Sequence, residues 1–179
     1  MPPTATIDTE RLTLCAPVEA DAQVIFERYS QDPLVARYMS WTPHSSTDET
    51  LEFVRARLFA MEEGKLQMWL IRERNQGRLL GSIGIGHAGH RADVGYCMAR
   101  DSWNLGYATE AVIAAVDFAL VESCIWRIAA LCDVENLASI RVLEKAGFQF
   151  EGTLRRYYKF PNFGDTPRDV HSYSKIIDR

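Results

Sequence analysis

The sequence predicts a mixed α/β (α+β) fold in which a mostly antiparallel central sheet of about seven strands carries helices on both faces. Two observations lead to this prediction. Strand-like apolar patterns follow one another directly in the first half of the chain, at residues 67–72, 79–87 and 92–98. A strand-helix-strand crossover comes next, with patterns of a helix, a strand and a second helix at residues 106–122, 127–132 and 137–146.

The remaining elements are predicted from the same patterns. Strands are expected at residues 11–15, 148–156 and 169–176, and helices at residues 18–29 and 33–38. Ser46 and Glu49 form a capping box, so a further helix begins there and ends near Met61, before Gly64. The polar turn at residues 75–77 joins two strands as a hairpin.

Composition limits the classes of function. The 179 residues, 47% of them hydrophobic, suit one domain over residues 1–179 that buries about two thirds of its unfolded surface. The net charge of −4 argues against a general nucleic-acid binder. Four basic residues lie close together near the C-terminus and are interpreted as a solvated surface: Arg155, Arg156, Lys159 and Arg168. No apolar run approaches the ~20 residues that cross a bilayer, and no leader pattern is present. The cysteines form no C-x-x-C pair: Cys15, Cys97, Cys124 and Cys132. We therefore expect a reduced, cytoplasmic protein that binds no membrane.

The apolar helix over residues 106–122 begins at a turn suited to an anion. Its side chains leave only a narrow polar stripe with Glu110 and Asp117, so the helix must be buried against the sheet. Burial fixes the helix axis, and the unpaired amides near residues 105–109 then converge on one spot that the helix dipole makes favourable for phosphate. Alternatively, Gly106 only permits a tight turn into a core helix.

Three polar side chains near the second helix are candidates for chemistry. Asn136 precedes that helix and is an excellent N-cap, which alone explains it; it would also suit a ligand amide. The Ser139 hydroxyl lies one turn later, within reach of a leaving group. Glu151 follows an apolar strand and is either a base at the rim of the sheet or an ordinary exposed carboxylate.

Three other features are set aside. Residues 84–89 spell G-x-G-x-x-G, but a strand follows instead of a helix, so we interpret them as a glycine-rich hairpin loop. His87 and His90 lack further ligands at metal spacing, and we expect no metal. Cys97 has no base placed beside it and is expected to be an inert buried thiol.

Several segments in fixed order resemble the GNAT superfamily of acyl-CoA-dependent N-acetyltransferases, and specifically its RimJ/RimL-type branch. They are Thr9-Glu-Arg-Leu-Thr-Leu14, Gly81-Ser-Ile-Gly84, Gly106-Tyr-Ala-Thr-Glu-Ala111, the run from Asn136 to Phe148, and Glu151-Gly-Thr-Leu-Arg155. The likeness runs almost end to end and implies a GNAT-like sheet with a splayed pair of central strands, at residues 94–98 and 127–132.

The resemblance also implies roles for individual residues. Acetyl-CoA would enter between the splayed strands, and backbone groups there would bind its arm and polarise the thioester carbonyl, an effect worth about 3 kcal/mol in other acyl-transfer enzymes. Ser139 would give a proton to the departing thiolate. The implied acetyl-CoA contacts are Tyr96, Cys97, Met98, Trp103, Asn104, Leu105, Gly106, Tyr107, Ala108, Thr109, Asn136, Ser139, Arg141 and Lys145.

The chain departs from the family pattern in two places. The pyrophosphate loop, Q/R-x-x-G-x-G/A in the family, is Trp103-Asn-Leu-Gly-Tyr-Ala108 here, without the extra glycine or the positive charge. Phosphate would then rest on backbone amides, helped by Arg141 or Lys145. In some members of the branch a carboxylate serves as base at the position that corresponds to residues 155–159 of this chain. No carboxylate is present there in this sequence.

The missing base favours one class of acceptor. At pH 7 an α-amine with a pKa near 7.8 is roughly a tenth neutral, whereas a lysine amine near 10.4 is almost wholly charged. We therefore expect an acetyltransferase acting on a protein or peptide N-terminus, with Glu151, Glu110 or water as base and residues 157–167 shaping the acceptor site. The alternatives are acetylation of a polyamine, aminoglycoside or drug-like amine, and a non-catalytic acyl-CoA sensor. An exposed edge strand would allow a homodimer.

Overall fold

The computed structural model describes residues 5–122 and 125–176, and its centre is one eight-stranded sheet. The strands are β1 Ile7–Asp8, β2 Leu12–Cys15, β3 Leu66–Glu73, β4 Leu79–Ala88, β5 Arg91–Met98, β6 Arg127–Asp133, β7 Gln149–Tyr158 and β8 Arg168–Ile176. Their order is β1-β2-β3-β4-β5-β6-β8-β7, and of the neighbouring pairs only β5 and β6 run parallel. The predicted fold class is confirmed, with β1 as one strand more than expected.

Helices cover both faces of the sheet. They are α1 Ala22–Ile25, α2 Pro33–Ala36, α3 Thr47–Glu62, α4 Tyr107–Glu122 and α5 Leu137–Lys145. Side chains alternate across β3, so Trp69 and Ile71 join the core under α4 and α5, whereas Leu70 joins the core under α1 and α3. One face of α4 is fully buried, with Ala111, Val112, Ala115 and Val116, whereas Ile113 and Asp117 are exposed. No described helix is long and apolar enough to cross a membrane.

The sheet opens between its two parallel strands. β5 and β6 pair only at their first residues, from Arg91 with Arg127 to Asp93 with Ala129, and then diverge. At the far end β5 is drawn towards β4, where Gly81 makes room: a Cβ at this glycine would lie 2.2 Å from the Cys97 carbonyl oxygen. The splayed pair of central strands is thereby confirmed.

Several segments differ from their predicted form. The helix expected over residues 18–29 is a 3₁₀ turn, α1 and a π turn in succession, and the π turn carries Tyr29 and Ser30 into the interior. There the Tyr29 hydroxyl donates to Ser82 Oγ at 3.1 Å. The G-x-G-x-x-G stretch does belong to a hairpin, but its first two glycines lie within β4, and Gly89 and His90 alone form the turn.

Candidate active site

The turn before α4 has the geometry of an anion-binding loop. Asn104 and Gly106 adopt positive φ angles of 61° and 80° on either side of Leu105. Such alternation is typical of loops whose successive amides bind one anion. The indole N–H of Trp103 donates to the Met98 carbonyl at 2.8 Å and ties the loop to the end of β5. The helix begins at Tyr107, and its first intrahelical bond runs from the Glu110 amide to the Gly106 carbonyl at 3.1 Å. The preceding amides have no acceptor within the helix.

Arg11 brings to this loop the positive charge that the loop sequence lacks. Its Nη1 donates to the Leu105 carbonyl at 3.0 Å, and its guanidinium lies 4.8 Å from the centre of the Tyr107 ring. The same side chain pairs with Glu110 at 2.7 Å. Arg11 could not be assigned to this loop from local patterns, because it precedes the loop by more than ninety positions; the signal for it is its place in the Thr9-Glu-Arg segment.

Glu110 is held in place by the same turn and is unsuited to act as a base. It accepts hydrogen bonds from the Thr9 hydroxyl at 2.6 Å and from the Arg11 amide at 2.9 Å. Burial alone would raise the pKa of Glu110, but these bonds and the Arg11 charge outweigh it and lower the pKa. The carboxylate therefore fastens the β1–β2 turn to the first turn of α4.

The start of α5 presents its polar residues towards the opening in the sheet. Asn136 caps the helix as predicted, since its side-chain oxygen accepts from the Ser139 amide at 3.2 Å. The Ser139 hydroxyl lies 2.9 Å from the Tyr96 hydroxyl, so a side chain of β5 meets α5 across the gap. Arg141 and Lys145 lie further along α5 with exposed side chains.

Asp133 anchors the turn that leads into α5. Its side chain is fully buried and accepts hydrogen bonds from Arg168 Nη2 at 3.0 Å and from the Glu135 amide at 2.9 Å. The Asn136 amide donates to the Asp133 carbonyl at 2.9 Å. Burial would raise the pKa of Asp133, but the bonds from Arg168 and Glu135 outweigh it and the pKa is lowered. These contacts fix the direction in which α5 starts.

Glu151, which the sequence leaves as either a base or an ordinary exposed carboxylate, is already paired, and this argues against the role of base. The side chain forms an ion pair with Arg127 and accepts from the Ser174 hydroxyl at 2.8 Å. Arg127, followed by the hydroxyls of Ser174 and Ser172, lowers the pKa of Glu151 to about 2, which makes it a very weak base at neutral pH. Arg127 also lies where β5 and β6 are still paired, away from the opening.

Cys97 and Cys132 are poorly suited to act as nucleophiles, and the described residues form no metal site. Burial raises the pKa of Cys97, whose sulfur lies 3.5 Å from Ser82 Oγ, and burial likewise raises the pKa of Cys132 to about 11. Cys124 lies outside the described residues. Across residues 5–122 and 125–176, no three His, Cys, Asp or Glu side chains are grouped as metal ligands.

The segment between β7 and β8 closes over the end of β6. Asn162 donates from its side-chain nitrogen to the carbonyls of Ala36 at 2.7 Å and Trp41 at 2.8 Å, which fastens the segment to α2 and the chain after it. Phe163 stacks under the Arg168 guanidinium at 4.2 Å. A cavity of about 260 Å³ adjoins this place, lined by Val134, Glu135, Phe163, Thr166, Pro167, Arg168 and Asp169.

Comparisons with known proteins agree with this architecture. Residues 11–149 match the acetyltransferase (GNAT) domain. YoaA of Bacillus subtilis (strain 168), an uncharacterized N-acetyltransferase, is 31% identical over 176 residues, 97% of each chain. A GNAT-family acetyltransferase from Bacillus anthracis superposes with a TM-score of 0.84 at 26% identity, over 96% of this chain and 98% of that one. RimL, a ribosomal L7/L12 α-N-protein acetyltransferase solved with coenzyme A, gives a TM-score of 0.87 at 22% identity, over 97% and 99%.

Proposed function

The chain belongs to the GNAT family of acetyltransferases, and from this premise we propose that it moves the acetyl group of acetyl-CoA to the α-amine of a protein or peptide N-terminus. The observation that carries the proposal is the opening between β5 and β6, with Tyr96 and Ser139 facing each other across it at 2.9 Å between hydroxyl oxygens. Family membership indicates acetyl-CoA as the donor and acetyl transfer as the reaction. The residues around the opening indicate which groups would bind acetyl-CoA and which would transfer the proton.

Three groups of atoms suit acetyl-CoA. The amides of the loop and first turn, from Trp103, Asn104 and Leu105 to Gly106, Tyr107, Ala108 and Thr109, would hold the pyrophosphate. Beyond Asp93, alternate peptide groups of β5 face β6 without pairing to it, which leaves groups near Tyr96 and Cys97 for the pantetheine arm. Asn136 would contact the same arm, while Arg141 and Lys145 would add positive charge from α5. No step requires a metal.

The transfer is a direct displacement in a complex of both substrates. The amine nitrogen bonds to the thioester carbon as the C–S bond breaks, and the electron pair of that bond stays on sulfur. Ser139 gives its hydroxyl proton to the sulfur, and the proton that the nitrogen loses passes through water and restores Ser139. A backbone N–H near Cys97 or Met98 would stabilise the negative charge that develops on the carbonyl oxygen.

The preference for an α-amine rests on the pairing of both carboxylates that were candidates for the base. Glu110 is bound by Thr9 and Arg11, and Glu151 by Arg127, so neither suits a base. An amine that is partly neutral at pH 7 needs no strong base, and α-amines meet that condition far better than lysine side chains. RimL, which shares the fold, is named as an α-N-protein acetyltransferase.

Thermal unfolding with and without acetyl-CoA, followed by release of free thiol, tests the proposal. We expect stabilisation by acetyl-CoA, and thiol release with a peptide that has a free α-amine. The same peptide with a blocked N-terminus and a lysine is the control and should release none. Thiol release with polyamines or aminoglycosides alone would show that the acceptor is a small amine and not a peptide. Stabilisation by acetyl-CoA without any thiol release would indicate a sensor. No stabilisation would contradict acetyl-CoA as the donor.

A further inference from the structure

Tyr96 makes a contact that binding of acetyl-CoA does not require. It lies on β5 in the splayed half of the strand, on the face that α4 and α5 cover. Its hydroxyl lies 2.9 Å from Ser139 Oγ and 3.3 Å from the Ser139 carbonyl oxygen. Tyr96 therefore reaches from one side of the opening to the residue proposed as proton donor on the other side.

We propose that Tyr96 is a positioning residue, which donates its hydrogen bond to Ser139 Oγ and so leaves the proton of Ser139 directed at the departing sulfur. This inference rests on the proposed function, because it assigns Tyr96 to the step in which Ser139 protonates sulfur. Tyr96 keeps its own proton throughout that step. Its hydrogen bond also stabilises the oxygen of Ser139 while that oxygen carries negative charge.

The phenol of Tyr96 has one proton and two acceptors on Ser139, and the hydroxyl oxygen at 2.9 Å is nearer than the carbonyl oxygen at 3.3 Å. The amide of Ser139 already donates to Asn136 Oδ1 at 3.2 Å, so the helix cap holds the backbone and leaves the hydroxyl free to rotate. A phenol is a stronger donor and a weaker acceptor than an aliphatic hydroxyl, which favours donation by Tyr96. Burial, the larger cause, and the neighbouring Cys132 raise the pKa of Tyr96, so the phenol stays protonated at neutral pH.

A matched control is available on the same helix. Tyr173 is also buried, and its hydroxyl lies 3.5 Å from Glu144 of α5, further along the helix than the opening. Replacing Tyr173 by Phe removes the same atom from the same core. It leaves the contact between Tyr96 and Ser139 intact, so a loss through packing alone would appear in both variants.

The experiment compares Tyr96→Phe and Tyr173→Phe with the unchanged protein, using acetyl-CoA and a serine-initiated peptide with a free α-amine. For Tyr96→Phe we expect kcat for thiol release to fall about five- to tenfold, the effect of one neutral hydrogen bond, with the Kd of acetyl-CoA unchanged. Tyr173→Phe should keep kcat. Introduced into Ser139→Ala, Tyr96→Phe should cause no further loss, because Tyr96 acts through the missing hydroxyl.

A second readout separates this role from a merely structural one. With acetyl-CoA that carries selenium in place of sulfur, the more acidic selenol leaves without needing a proton, so the defect of Tyr96→Phe should shrink towards onefold. A full kcat in Tyr96→Phe, an undiminished defect with selenium, or an additional loss in the Ser139→Ala background would each overturn the inference. Absence of thiol release by the unchanged protein would instead contradict the proposed function, and this inference with it.

Discussion

Ser139 uses its backbone and its side chain for different purposes. The amide donates to the Asn136 cap, whereas the hydroxyl makes the shorter of the two contacts with Tyr96, 2.9 Å against 3.3 Å for the carbonyl oxygen. Ser139→Ala keeps the amide, so we expect the helix cap and the Kd of acetyl-CoA to persist while kcat falls about a hundredfold, as for loss of a general acid. Steady-state thiol release and calorimetric titration measure the two quantities. A variant with unchanged kcat would remove Ser139 as the proton donor.

Glu151 is expected to affect stability and its pH dependence, with no effect on the reaction. Its pKa is lowered from 4.5 to about 2, so its stabilising ion pair with Arg127 is complete above the unfolded pKa and is lost as the pH falls through the folded value. Since both side chains are one third exposed, Glu151→Gln should cost about 1 kcal/mol or less at pH 7.

Urea unfolding of both proteins from pH 7 downwards checks this expectation for Glu151→Gln. The difference in unfolding free energy should hold near neutral pH and shrink steadily below pH 4.5, the ordinary carboxyl value. The kcat of Glu151→Gln at pH 7 should equal that of the unchanged protein. A large loss of kcat with an unchanged Kd for acetyl-CoA would restore Glu151 as a candidate base.

At the scale of elements, the N-terminus of α5 combines a structural and a ligand role in Asn136. Asn136→Ala removes the cap, which should cost about 1 kcal/mol of stability, and also removes the amide proposed to contact acetyl-CoA. Asn136→Ser restores a capping oxygen but not the amide. We expect denaturant unfolding to show recovery of stability in Asn136→Ser, whereas titration shows weak acetyl-CoA binding in both variants. Unchanged affinity for acetyl-CoA in Asn136→Ser would show that Asn136 acts as a helix cap alone.

The loop before α4 depends on backbone conformation more than on side chains. Gly106 has a φ of 80°, and a Cβ there would lie 3.3 Å from Arg11 Nη2. Gly106→Ala should therefore cost roughly 1–2 kcal/mol through strain and raise the Kd of acetyl-CoA about tenfold, because the amides that face phosphate shift.

Gly77 supplies the control for Gly106→Ala. It has a similar φ of 65° and open space around its Cα, but lies in the turn between β3 and β4. Gly77→Ala should lose comparable stability in thermal unfolding and keep the Kd of acetyl-CoA. Equal affinities in the two variants would contradict a phosphate role for the loop.

At the scale of the whole molecule, the order of elements was predictable and the long-range pairs were not. Apolar periodicity and the Asn136 cap are local, so the sequence predicts the hairpins, α4 and α5 nearly at their observed bounds. β1 was not predicted, because a strand of two residues is too short to show a periodic pattern. The contacts of Glu110 with Arg11 and of Glu151 with Arg127 join distant segments. Only the folded chain shows that both carboxylates are already paired.

The position of the transferred acetyl group distinguishes an α-amine acetyltransferase from one that acts on lysine. The substrate is a peptide with both a free α-amine and an internal lysine, incubated with acetyl-CoA and the protein at pH 7, and fragmentation mass spectrometry locates the product. We expect acetylation at the α-amine and an unmodified lysine, because only the α-amine is appreciably neutral without a base. Acetylation of the lysine, or no product at all, would contradict this expectation.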